Sequence, residues 1–176
     1  MTTKFLGHSV HQILIVFPLG LLTTSIVFDL AYLGSSNGRW ADISFWLITA
    51  GLISGAVAAV YGVMDYLQIP LGTRAKRVGL LHGVGNAIVV LLFLASFIMR
   101  ADDPVSPEIG AIMLSLLGVL LAGVTGWLGG ELVNRLGVGV DEGAHLNSPS
   151  SLSGRPAREH EGEKEDKRPF PRAANL

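Results

Sequence analysis

Four long stretches of the chain carry almost nothing but apolar residues, and the polar positions fall between them or at their ends. The uncharged runs are Gln12–Phe28, Ile43–Met64, Val78–Met99 and Ile109–Gly130. The first is extended by Val10 before it and by the segment through Leu33 after it. The last three are each 22 residues long, and little in them is more polar than His82 and Asn86. A helix of about 20 apolar residues crosses the roughly 30 Å hydrocarbon core of a bilayer. The pattern therefore predicts an all-α membrane protein, a four-helix up-down transmembrane bundle over residues 1–140.

Turn chemistry separates the spans. Gly34-Ser-Ser-Asn-Gly38 is a tight cluster, Ile69-Pro-Leu-Gly72 ends the second span, and Asp102-Asp-Pro104 with Pro107 precedes the fourth. Pro18 follows one full turn of apolar residues in the first span and invites a kink, which membrane helices tolerate. Trp40 and Trp46 near the start of span two suit an interfacial belt. Small residues recur at a spacing of four: Gly51, Gly55 and Ala59 in span two, Gly79, Gly83 and Ala87 in span three, and Gly118, Ala122, Gly126 and Gly130 in span four. Such stripes predict close helix pairs. A faint duplication is also visible, Val60-Tyr-Gly62 before Asp65 resembling Val124-Thr-Gly126 before Glu131, with His11 and His82 in related positions.

Composition sharpens this in three ways. The 176 residues are 49% hydrophobic with a mean hydropathy of +0.49. Nearly half of the 13 Lys and Arg, and half of the 14 Asp and Glu, lie in residues 141–176. That segment is rich in Ser, Pro and charge, its leucines Leu146 and Leu152 are isolated, and it reads as a disordered cytoplasmic tail. No basic surface argues for nucleic acid. The absence of cysteine excludes disulfides, thiolate-held iron–sulfur clusters, covalent haem attachment and a cysteine nucleophile. The N-terminus does not read as a cleaved signal, because the first apolar run is long and no A-x-A site follows it. Basic residues near the span ends favour the side of the N-terminus, with Lys4, Arg74, Lys76, Arg77 and Arg135 against Arg39 and Arg100. The rule that cytoplasmic loops are the basic ones then puts both termini in the cytoplasm, in the bacterial cytoplasmic (inner) membrane.

Alternating span direction gathers the candidate chemistry. The starts of spans one and three and the ends of spans two and four share a side, so His8, His11, His82, Asp65 and Glu131 meet near one interface. His8 and His11, three apart, would project from one face of a helix, and Asn86 stands four residues above His82. Ionisable groups inside a membrane are costly enough to suggest a role by default. Two chemistries suit them. Haem b can be held by two histidines from different helices, His82 with His11 or His8, beside Asn86 and with its propionates toward Arg74, Lys76 and Arg77. Alternatively His8, His11, His82, Asp65 and Glu131 make a nitrogen–oxygen site for a non-haem transition metal, or handle protons. Asp29, near the far end of span one, is expected among the lipid headgroups rather than paired with Arg39 or Arg100. No zincin, P-loop, dinucleotide or nucleophile-elbow motif is present, so the sequence names no enzymatic reaction. A non-catalytic membrane subunit, its glycines packing helices and its polar groups in the headgroups, is the plain alternative, and a homo-oligomer stays open.

The succession Gly7-His8-Ser-Val-His11, Phe17-Pro18-Leu-Gly20, Phe28-Asp29-Leu30, Gly62-Val-Met-Asp65-Tyr66, Gly72-Thr-Arg74-Ala75-Lys76-Arg77 and His82 resembles the DUF2231 family of predicted bacterial membrane proteins, as does Gly126-Trp-Leu-Gly-Gly-Glu131-Leu. The family usually reads G-H-P-x-H-P at its start, whereas Ser9 and Gln12 replace both prolines here. The resemblance implies a four-helix membrane domain whose relatives are sometimes fused to Rieske-type iron–sulfur modules. By that analogy it implies a redox partner and electron transfer.

Overall fold

The computed structural model describes residues 3–160. The chain divides into two units, residues 1–139 and 140–176. The first opens with a two-stranded antiparallel hairpin, β1 (Lys4–Phe5) and β2 (His8–Ser9). Its turn places Leu6 at φ 51° and Gly7 at φ 85°, the left-handed pair that two-residue hairpin loops require. Helices α1 (Val10–Leu14), α2 (Val16–Ser35), α3 (Gly38–Gln68), α4 (Arg74–Arg100) and α5 (Ile109–Asn134) follow.

Local chemistry sets the helix ends. Pro18 has no N–H to offer the carbonyl of Leu14, the last residue of α1, so the first span breaks at Ile15 into α1 and α2. Asn37 caps α3 by accepting from the Arg39 N–H at 3.1 Å, and the Thr73 hydroxyl caps α4 by accepting from the Lys76 N–H at 3.1 Å. Pro70, directly after Ile69, ends α3. Four spans result, Val10–Ser35, Gly38–Gln68, Arg74–Arg100 and Ile109–Asn134, each long and apolar enough to cross a membrane. Each extends past its apolar run by a few polar residues, because helical hydrogen bonding continues into the headgroup region where sequence hydropathy already falls.

Helix α2 packs most closely on α3, and α4 on α5, which makes two antiparallel hairpins. They meet along two looser seams, α3 against α4 and α2 against α5. Leu22, Ile48, Val89 and Phe93 form the central core, with Leu52, Phe97, Val119 and Leu121 around it. The outward faces carry exposed Leu, Val, Ile and Trp along their whole length, as expected of a surface solvated by lipid. Only part of each glycine stripe is used for packing. Gly51, Gly55, Gly79 and Gly118 touch neighbouring side chains, whereas Gly83 and Gly126 face open space.

The two hairpins are copies of one design. In α2 the buried residues include Pro18, Leu22, Ser25 and Asp29, and in α4 they include Val89, Phe93, Ser96 and Arg100, each 71 positions later. In α3, Ser44, Ile48, Gly51, Ala58 and Asp65 are buried, and α5 buries Ala111, Ser115, Gly118, Thr125 and Leu132, again at one constant offset. Contacts repeat as well as burial: Leu22 lies against Gly51 as Phe93 lies against Gly118. A pseudo-twofold axis along the bundle exchanges α2 with α4 and α3 with α5, and with them the two seams. The duplication expected from sequence is therefore present in a different register, since Gly62 corresponds to Gly129 rather than Gly126.

The second unit, described through residue 160, has turns and one 3-10 turn at Ser151–Ser153. Ser148 donates to the Ala157 carbonyl at 2.6 Å, and Arg155 pairs with Glu159 at 2.8 Å. Leu146 and Leu152 are exposed, as expected of a segment with no core of its own. The rings of His145 and His160 lie 4.5 Å apart. The remainder of the expected disordered tail, residues 161–176, lies outside the described residues.

Candidate functional site: a pair of imidazoles on the pseudo-axis

His11 on α1 and His82 on α4 face each other across the seam between the hairpins. Their ring centres are 6.4 Å apart and their planes nearly perpendicular, at 88°. Residues 11 and 82 are also symmetry counterparts, so a pair in contact straddles the axis. Each ring is set by the same device, on α3 for His11 and on α5 for His82. His11 Nδ1 lies 2.9 Å from the Ala58 carbonyl, and His82 Nδ1 lies 2.8 Å from the Thr125 carbonyl. One turn further on stand Gly62 and Gly129, where a Cβ would come within 2.8 Å and 3.1 Å of the respective ring carbons. A carbonyl oxygen only accepts, so Nδ1 carries a proton on both rings, and in the neutral imidazole the lone pair is then on Nε2.

The two rings differ in what else holds them. The Asn86 amide nitrogen lies 3.4 Å from His82 Nδ1 and 3.2 Å from Nε2, and donates to the His82 carbonyl at 2.9 Å. Near-equal distances to both ring nitrogens place the amide over the ring face, out of line with the Nε2 lone pair. The Thr125 hydroxyl donates to Asn86 Oδ1 at 3.0 Å and so ties this side chain to α5. His11 has Ile15 where His82 has Asn86, and Ala58 where it has Thr125.

The other expected ligands are not drawn into this pair. His8 lies on β2, exposed and before the helix begins, so it shares no helical face with His11. Asp65 accepts from the Thr3 N–H at 2.8 Å and the Ser9 hydroxyl at 3.1 Å, which fastens the N-terminal hairpin to the end of α3. Glu131 pairs with Arg74 at 2.5 Å and joins the end of α5 to the start of α4. Both carboxylates thus act as clasps closing equivalent ends of the two hairpins. Among the described residues no three His, Asp or Glu side chains form a group able to hold a metal ion. Arg74, Lys76 and Arg77 lie in the first turn of α4; Lys76 donates to the Tyr66 carbonyl at 2.7 Å and lies over its ring, while Arg77 is exposed.

Sequence reasoning misplaced Asp29. It lies in the bundle interior rather than among headgroups, in a bidentate pair with Arg100 at 2.6 and 2.8 Å, both side chains fully buried. Arg100 also donates to Ser96 at 3.1 Å and to Ser44 and Ser115 at 3.3 Å each. All five of its N–H groups are thereby used, on partners from all four spans. Ser96 is itself 2.7 Å from both the Ala111 carbonyl and the Ser115 hydroxyl. The signal was available: Ser25 and Asp29 are followed 71 positions later by Ser96 and Arg100, so opposite charges occupy equivalent sites.

A four-span helical bundle with an apolar exterior and polar pairs on its internal axis is an integral membrane protein. The chain belongs to the DUF2231 family of predicted membrane proteins, whose sequence profile matches residues 7–142. No curated protein and no solved structure matches it.

Proposed function

We propose that His11 and His82 form a bis-imidazole centre, that its occupant is haem b, and that the protein carries electrons in the bacterial cytoplasmic membrane. The observation that carries the reading is the isolation of the pair. A bare transition ion takes four or more ligands, whereas haem iron already has four from the macrocycle and needs two axial ones. The donor set also fits. An iron held about 2 Å from an Nε2 of each ring would set the ring centres roughly 6 Å apart, close to the 6.4 Å separation of His11 and His82. An Nδ1–H given to a backbone carbonyl is the usual support of a metal-bound histidine. We assign the propionate contact to Arg77, which is exposed in the first turn of α4, because Arg74 is engaged by Glu131 and Lys76 by the Tyr66 carbonyl. The group, once bound, would supply a one-electron couple; His11 and His82 would hold it, each ring oriented by an Nδ1–H given to a backbone carbonyl, at the seam between the two apolar hairpins. The partner is then a one-electron carrier, of which a Rieske-type iron–sulfur protein is one kind.

An absorption spectrum of protein purified from haem-replete cells tests this. A Soret band with sharp bands near the α and β positions on reduction is expected, at one haem per chain. Colourless protein holding about one equivalent of iron, zinc or manganese would instead favour the non-haem site, with water completing the two imidazoles. Colourless protein without metal would reject both.

A further inference from the structure

The asymmetry of the pair carries one step more, resting on the bis-imidazole reading above. We infer that Asn86 and Thr125 make His82 the permanent ligand of the centre and that His11 is the exchangeable one, so that the centre admits a small exogenous ligand, a neutral diatomic, in its place.

His82 belongs to a continuous helix of 27 residues. Its ring is fixed by the Thr125 carbonyl and by the Asn86 amide over its face, beyond the glycine contact at Gly129 that His11 shares at Gly62. Asn86 is itself held by the Thr125 hydroxyl. To leave its position, His82 must break a network that spans two helices. His11 sits near the start of the first span, where α1 meets α2 at Ile15 and the missing N–H of Pro18 removes one hydrogen bond from the helical ladder. Its ring has one hydrogen bond, to the Ala58 carbonyl, and its counterparts of Asn86 and the Thr125 hydroxyl are Ile15 and Ala58, which offer none. Below α1, Asp65 accepts from Thr3 and Ser9 and so holds the N-terminal hairpin that leads into it. Asp65 is therefore a positioning residue for His11. Loosening that clasp should free the first imidazole and leave the second untouched.

The probe is carbon monoxide added to the reduced, haem-loaded full-length protein. A ligand that binds only when His11 has swung away is slowed by the fraction of time the site is open, so His11→Ala should bind it at least about tenfold faster than wild type, with haem content retained. Asp65→Asn should accelerate binding severalfold, again with haem retained. His82→Ala should lose most of its haem, and Asn86→Ile with Thr125→Ala should lose part of it. Haem loss in His11→Ala with retention in His82→Ala would overturn the assignment, as would a rate indifferent to both His11→Ala and Asp65→Asn. If wild-type protein carries no haem, the bis-imidazole haem reading fails on its own, and the asymmetry is then read from nitrogen NMR of labelled histidines in detergent. His82 should show one sharp form protonated at Nδ1 that broadens in Asn86→Ile, and His11 a broadened average. Two equally sharp imidazoles, both unaffected by Asn86→Ile and Asp65→Asn, would overturn it.

Discussion

A histidine inside a membrane helix must find an acceptor for its N–H, because lipid offers none. His11 and His82 solve this by borrowing a carbonyl already used in its own helix and lying flat where a glycine leaves room. The arrangement predicts opposite outcomes for two glycine-to-alanine changes. At Gly62 the added methyl would meet the His11 ring at 2.8 Å; displacing the ring should cost about 1–2 kcal/mol after the better helix propensity of alanine is allowed for. At Gly126 nothing lies within 4 Å, and alanine should be neutral or stabilise by up to about 1 kcal/mol. Thermal unfolding in detergent measures both. That His11 and His82 come to the same end of the bundle was legible from the alternating span direction. Their bonding was not. A backbone carbonyl leaves no mark in the amino-acid pattern, and a packing glycine looks the same as one facing lipid.

Helix boundaries followed from proline, glycine and cap residues to within a few positions, and the break in the first span from Pro18. What joins the helices was harder to foresee. Asp29 read as a headgroup residue because hydropathy counts charges singly, and burial of a charge depends on a partner far along the chain. With the guanidinium fully satisfied by Asp29, Ser44, Ser96 and Ser115, removing the acid alone leaves a buried cation uncompensated. Asp29→Asn should destabilise the bundle by about 3–5 kcal/mol, while Asp29→Leu combined with Arg100→Met should cost clearly less than the sum of the single changes. Denaturation of the three variants in mild detergent tests this. Equal and additive losses would mean that the ion pair is incidental to helix assembly.

The four spans and the apolar exterior of the bundle could be read from the order of residues, since they depend on composition along the chain, whereas the family was legible only in its ordered motifs. The pseudo-twofold symmetry could not be placed in register, because it rests on which positions are buried. Which membrane face holds the termini is testable with unusual clarity, since the chain has no native cysteine. Single cysteines at Ser36 and at Thr73 should be labelled by a membrane-impermeant maleimide from opposite sides, Ser36 in intact spheroplasts and Thr73 only after lysis, if the basic side faces the cytoplasm. The reverse pattern would invert the molecule. The symmetry also fixes who can mate with whom. Because positions 29 and 100 are equivalent and meet on the axis, two first halves brought together would oppose acid to acid, and two second halves base to base. Only unlike halves neutralise each other, so a single bond between two charges tells a nearly twofold object its left hand from its right.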